Sequence, residues 1–498
     1  MIKTIFLSIV LVASVGAQSY APDEILVKRV NGSVHHAVGT AVVEDLGDWQ
    51  RVKLPPHLSV GSAISAYHRF KAFAQPNFYY HPLSTSNDPQ FSGMYGLSEI
   101  AAPSAWDLST GSSSIVVADI DTGTRYTHED LSANMWQNPG ETGLDANGLD
   151  KATNGIDDDS DGFVDDVYGA DVRFNDGDPT DVDYGVSGEH GTHTAGIIGA
   201  VGNNGLGVVG VNWNVKIMSV KIFNNTVWDD TTSAMLVSAY RYVLMMKRRG
   251  VNIRVTNNSY GGCTEACGYD QATKDAIDAL GNAGILNVFA AGNNNSNNEV
   301  TPFYTASYNS PSIVSVAASD SWDNRASFSD YGATSVDLAA PGVSILSTVP
   351  MGYAYLSGTS MAAPHVTGAI ALLSAYRPNL SMESLKASIL NSVDTVRAWR
   401  GIVKSNGRLN INKAMKRPTI CTFTPSTPTS IGPQGGNGSF SVTVADNCDY
   451  SPTSTVPWIT VTSGPLSGKG VVTYSVAAGS NRSGTIVFAG TTVTVTQR

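Results

Sequence analysis

From Ile115 onward, short β-branched runs alternate with segments of helical period, and this alternation restricts the possible folds more than any other feature. Ile115–Ile120, Val215–Phe223, Ile253–Asn257, Leu286–Ala290 and Ile313–Val316 read as strands. Thr232–Arg248, Asp270–Asn282 and Ser360–Tyr376 read as helices between or after them. Strands separated by helices are joined by crossovers, which predicts an α/β fold with a mostly parallel sheet flanked by helices. In such sheets ligands gather at the carboxyl ends of the strands.

The flanks differ in character. Residues 18–86 form a small α+β unit: Glu24–Val30 alternates like a strand, Ser62–Ala72 has helical spacing, and Gln75–Tyr80 reads as an edge strand. Beyond Arg417, Thr, Ser, Val, Gly and Pro dominate, and short alternating runs such as Phe440–Val444 and Thr492–Thr496 predict an all-β sandwich. With 498 residues the chain is too long for one core. The expected boundaries are residues 1–17, 18–86, 87–417 and 418–498.

The first seventeen residues read as an export signal: Lys3, an apolar stretch from Ile5 to Val15, then Val15-Gly16-Ala17 as the cleavage site. The expected location is extracellular, and no segment is long enough to span a bilayer comfortably. Forty-two acids against thirty-one Lys and Arg give a net charge of −11, without a basic run, which argues against nucleic acid as a partner. Cys263 and Cys267, and Cys421 and Cys448, make two local pairs suited to disulfides in an exported chain. Their spacing is not that of a zinc site.

Three short stretches carry nucleophile chemistry: Asp121-Thr-Gly after a strand, His190-Gly-Thr-His-Thr-Ala-Gly196 opening a helix, and Gly358-Thr-Ser-Met-Ala-Ala-Pro-His365 with Ser360 at the start of another. A serine hydroxyl needs a base to take its proton as it attacks. Imidazole, with a pKa of about 6.5, does this near neutral pH and returns the proton to the leaving amine. A buried carboxylate fixes the imidazole tautomer. Asp119 and Asp121 share one face of their strand, so periodicity alone does not choose between them.

The three stretches, in the order Asp, His, Ser, resemble the motifs of the subtilisin-like serine proteases over about Asp88 to Lys416. The resemblance implies Asp121 as orienting group, His190 as general base and acid, and Ser360 as nucleophile. His193, one turn on, His365 and His128 are then structural. Ala290-Ala-Gly-Asn293 resembles the family's oxyanion segment, which implies Asn293 and the Ser360 N–H as donors to the tetrahedral oxyanion. Asn258-Ser-Tyr-Gly-Gly262 resembles the segment that pairs with the substrate backbone, implying Ser259, Tyr260 and Gly261 as substrate-binding residues and a broad specificity. The chemistry itself needs no cofactor.

Between the Asp and His motifs lies an insertion, Pro139 to Glu189, rich in Asp, Gly and Asn. Asp157, Asp159 and Asp161, a carbonyl at Phe163 and Asp165 form a pattern suited to Ca²⁺, which takes six to eight oxygens. The twelve-residue EF-hand pattern is not completed, since its final Glu is absent. The family resemblance implies a second Ca²⁺ site, with Asp130 and Asn204 giving side-chain oxygens and Val201, Leu206 and Val208 giving carbonyls.

Residues 18–86 resemble the subtilase propeptide, an intramolecular inhibitor whose tail near Tyr79 and Tyr80 lies in the cleft before a cut between His81 and Asn87. Residues 418–498 loosely resemble a BACON-type module, which implies a carbohydrate or cell-surface ligand by analogy. There Trp458 reads as core. The expectation is a monomer acting on protein or peptide substrates. The competing reading is an inactive scaffold used for adhesion, and the intact triad weighs against it.

Overall fold

The computed structural model describes residues 20–29, 39–55, 58–69, 72–78, 85–181, 189–224, 231–262, 269–417, 422–428, 430–444, 448–464 and 466–498. The expected signal segment, Tyr79–Leu83, Cys263, Cys267 and Cys421 lie outside them. The chain forms two compact units, one through Leu83 and one from Ser84.

In the first unit four antiparallel strands stand in the order Ala41–Asp45, Trp49–Lys53, Tyr20–Lys28, Ala74–Phe78, with one helix, Val60–Arg69. Alternation in the Tyr20–Lys28 strand turns Ile25 and Val27 inward, where they meet Val52, Ala63 and Tyr67. Pro76 lies on an edge strand, where a missing N–H is tolerated.

The second unit is built on a nine-stranded sheet. Its order is Asp394–Thr395, Gly407–Arg408, Leu338–Pro341, Ile313–Ser319, Leu286–Ala290, Ile253–Asn258, Gly111–Asp121, Asn214–Lys221, Gly169–Asp171. Every pairing is parallel except that of the two short strands Asp394–Thr395 and Gly407–Arg408. The five expected strands are all present. Leu338–Pro341 was not anticipated, because Leu-Ala-Ala-Pro carries no strand period.

The helices begin where the side chains supply caps. Thr232 accepts from the Met235 N–H, and Asp270 from the N–H groups of Ala272 and Thr273. The helix Thr359–Tyr376 is buried along nearly its whole length against the sheet. It is apolar all round, as a helix inside a core must be. Truncating Leu372 there would cost about 2–5 kcal/mol.

Among the described residues the C-terminal part has two larger antiparallel sheets sharing one core, and a two-stranded one, Asp449–Tyr450 with Leu466–Ser467. Of the larger two, one contains Gly436–Thr443 and Gly470–Val476, the other Arg482–Phe488 and Thr491–Gln497. Phe440, Tyr474, Ile486, Phe488 and the wholly buried Cys448 fill the space between them. No free cysteine occurs among the described residues. Trp458 packs at the margin of this core, with the Arg482 guanidinium 4.2 Å from its ring centre. Among the described residues no helix is long and apolar enough to cross a membrane.

Candidate active site

Asp121 ends the Gly111–Asp121 strand, opposite Lys221, at the carboxyl edge of the sheet. It is almost fully buried, and its Oδ1 accepts from the Thr122 N–H at 2.7 Å and from His190 Nδ1 at 2.7 Å. His190 starts the helix His190–Gly199 and keeps 30% of its side chain exposed. Burial pushes the imidazole pKa down, but the charge and hydrogen bond of Asp121 outweigh it and leave the pKa above the ordinary histidine value. The two motifs meet closely: a Cβ on Gly191 would run into the Gly123 carbonyl, so the His motif needs its glycine.

Asp119 lies on the same strand face, fully buried. It accepts from Asn257 Nδ2 at 2.9 Å and lies 2.9 Å from Thr194 Oγ1. It does not share the His190 contact, and tertiary placement decides what strand period left open. Asp181, which sequence reasoning passed over within the acidic insertion, holds the start of the His190 helix. It accepts from the Thr192 N–H at 3.0 Å and from Thr192 Oγ1 at 2.7 Å. A carboxylate there suits the orphan N–H groups of a helix start.

The three other candidate histidines face carbonyls. His193 Nε2 donates toward the Ile345 and Ala354 carbonyls, and burial pushes its pKa down to about 3. His365 donates from Nδ1 to the Met361 carbonyl, with its pKa pushed down by burial to about 4. His128 meets the Gly352 carbonyl through Nε2 at 3.0 Å.

Ser360 sits in the first turn of the Thr359–Tyr376 helix, and its Oγ donates to the Ser259 carbonyl at 3.0 Å. Four residues on, Pro364 has no N–H to offer the Ser360 carbonyl. That carbonyl accepts instead from Ser259 Oγ at 2.9 Å. The segment Ser259–Gly261 is thus stapled twice to Ser360, and Tyr260 is anchored through its phenol to Asn258 and Tyr240.

Asn293 follows the Leu286–Ala290 strand. Its Oδ1 accepts from Thr359 N and Thr359 Oγ1, both at 2.9 Å, which fixes the amide plane; a Cβ on Gly358 would lie 3.6 Å from both Asn293 Nδ2 and Ser360 N. Asp330, which stands in no motif, was also missed by sequence reasoning. Its Oδ1 accepts from Asn294 N and Ser296 N at 2.8 Å each and braces the Asn293 loop.

The insertion gathers acids differently from the expected loop. Glu141, Asp157 and Asp159 place carboxylate oxygens within 4.8 Å of one another. Glu141 is fully buried, and its Oε2 and Asp159 Oδ1 have no hydrogen-bond partner. Buried, unpartnered carboxylate oxygens suit a hard cation. Asp161 lies beside them, 3.8 Å from Arg249, whereas Asp165 turns to the Gly155 N–H and Phe163 packs on Tyr242. At the second expected site Asn204 Nδ2 donates to Asp130 Oδ1 at 2.8 Å. Asp88, also missed, joins them by accepting from the N–H groups of Asn203, Asn204 and Gly205.

The Subtilase family matches residues 112–416. The chain is 34% identical over 345 residues to the thermophilic serine proteinase of Bacillus sp. (strain AK1), covering 69% of this chain and 72% of that protein. It is 34% identical over 337 residues to thermitase of Thermoactinomyces vulgaris, covering 67% and 99%. A solved structure of proteases from Pseudoalteromonas arctica superposes with a TM-score of 0.50 at 28% identity, covering 67% of this chain and 99% of that one. The fold, the motifs in their order and these matches agree: the chain belongs to the subtilase family and is a serine endopeptidase.

Proposed function

We propose that Asp121, His190 and Ser360 are the catalytic triad of a secreted peptidase made as a self-inhibited precursor. The observation that carries this reading is the 2.7 Å contact between Asp121 and His190 Nδ1. It leaves Nε2 as the atom that takes the Ser360 proton while Oγ attacks the substrate carbonyl. His190 then gives that proton to the leaving amine, and water repeats the sequence on the acyl-enzyme. Asn293 Nδ2 and the Ser360 N–H receive the oxyanion, since Thr359 occupies the amide oxygen. Substrate adds as a strand along Ser259–Gly261, and main-chain pairing supports a broad specificity at the positions beyond the attacked residue.

Calcium, where bound, supplies countercharge rather than chemistry. Glu141, Asp157 and Asp159 would hold one ion, with Asp161 adjacent; Asp88, Asp130 and Asn204 would hold another. Residues 18–86 act as inhibitor, residues 1–17 as export signal, and Cys263–Cys267 and Cys421–Cys448 as disulfides. The module from 418 binds a carbohydrate or surface ligand. Secretion is supported by the similarity, 32% over 378 residues, to the extracellular basic protease of Dichelobacter nodosus.

Ser360→Ala tests the reading. The purified variant should remain an uncut precursor without activity on casein. Normal casein cleavage by a homogeneous sample would remove Ser360 from the mechanism.

A further inference from the structure

We propose that the ring of Phe303 closes the slot that takes the side chain of the substrate residue whose carbonyl is attacked, so that this enzyme cleaves after Gly, Ala and Ser and rejects large residues there. The inference rests on the triad reading above and specifies its substrate class.

That carbonyl carbon must lie within reach of both Ser360 Oγ and Asn293 Nδ2. Two backbone segments run away from this point. One is Ser259–Gly262, tied to Ser360 through the Ser259 carbonyl. The other is Ala290–Asn293, tied to the same helix through Gly292 N and Thr359 Oγ1 at 3.2 Å. The attacked residue's side chain leaves one bond from the carbonyl and has the gap between these segments to enter. Both carry glycine, Gly261 and Gly262 on the first and Gly292 on the second.

Phe303 fills what the glycines leave open. A Cβ on Gly261 would come 2.8 Å from Phe303 Cε1, one on Gly262 would run into Cε2, and one on Gly292 would first meet Asp330 Oδ2 and would come 2.9 Å from Phe303 Cδ2. One ring therefore reaches both walls. It is held there: Phe303 N donates to Ser307 Oγ at 3.0 Å, the Tyr304 carbonyl accepts from Gly262 N at 2.6 Å, and the ring packs on the core that includes Phe289 and Tyr308. Moving it for a large side chain would break packing on one wall or the other.

The test uses the mature active enzyme from the full chain. Digestion of a denatured proteome, read by mass spectrometry, should show Gly, Ala and Ser enriched on the acyl side of the cut at least about tenfold over Phe, Leu and Lys, the lower end of what one mismatched group costs in a pocket. Tetrapeptide p-nitroanilides ending in Ala or Phe should give a kcat/KM ratio favouring Ala by about tenfold or more. Phe303→Gly and Phe303→Ala should each move that ratio toward Phe by about tenfold or more. Cleavage by the parent after Phe or Leu as readily as after Ala overturns the inference, even if neither variant folds, and leaves the peptidase reading intact. An unchanged ratio in folded variants overturns it too. Absence of hydrolysis of any peptide overturns the triad reading and this inference with it.

Discussion

Asp119 Oδ2 lies 2.9 Å from Thr194 Oγ1, and the same hydroxyl lies 3.0 Å from the Gly191 carbonyl. A hydroxyl has one proton to give, and a carbonyl can only accept. Both contacts are satisfied together when Asp119 is protonated and donates to Thr194, which donates to Gly191. Burial, then the charge of Asp121, pushes the Asp119 pKa up to about 8, against the hydrogen bonds of Asn257 and Thr194 and the attraction of His190. Ser219 and Asn257 are its neighbours across the sheet, and Tyr260 is a further titratable group that feels its charge.

The sign of the resulting pH dependence is definite. The unfolded chain releases the Asp119 proton near pH 4, while the folded chain keeps it to about pH 8. Between these values the folded state binds more protons, so the Asp119 contribution to stability falls as pH rises across that window. Asp119→Asn has no proton to lose. Melting of both forms in a Ser360→Ala background should show the Asn variant gaining on its parent from pH 4 to pH 8. A variant that loses ground over that range would mean an ionised Asp119.

His190 and His193 should respond oppositely to removal. His190→Ala should lower kcat by about 10⁶-fold, the scale of triad loss. His193→Ala leaves two carbonyls without a buried donor and should cost about 1–3 kcal/mol of stability while the folded fraction keeps its kcat. In the parent, kcat/KM should fall with acid through a midpoint above the ordinary histidine pKa, because Asp121 favours the imidazolium. Asp121→Asn should move that midpoint down. A midpoint unmoved by Asp121→Asn would show that another group controls the acid limb.

Asn293→Ala should lower kcat by about 10²- to 10³-fold with KM little changed, since the oxyanion exists only in the transition state. Steady-state kinetics on one peptide substrate decide it. A loss confined to KM would make Asn293 a binding residue.

Calcium should raise the melting temperature by a few degrees, and chelation should reverse it. A ligand at a hundredfold excess over its Kd contributes about 2.7 kcal/mol. Glu141→Gln, in the Ser360→Ala background, should lose most of that shift, because Glu141 brings a buried, unpartnered oxygen to Asp157 and Asp159. Equal shifts in both proteins would move the stabilising ion to Asp88, Asp130 and Asn204.

The sequence by itself determined whatever depends on neighbours within one element. Strand and helix periods are local, so the alternation from Ile115 was enough to predict a parallel sheet, and Asp121, His190 and Ser360 each stand in a compact motif. Thr232 and Asp270 are legible as caps for the same reason. Other facts required the tertiary structure. Asp119 and Asp121 have the same periodicity; the Asp-Thr-Gly motif points to Asp121, but the contact with His190 that distinguishes the two carboxylates is made by the docking of the His190 helix. Glu141 meets Asp159 across 18 positions of loop, and Asp88 meets Asn204 across 116. Phe303 faces Gly261 and Gly292 from a segment with no motif at all. Loop paths are set by which polar groups find partners once the sheet has formed, a long-range condition that neither period nor spacing records.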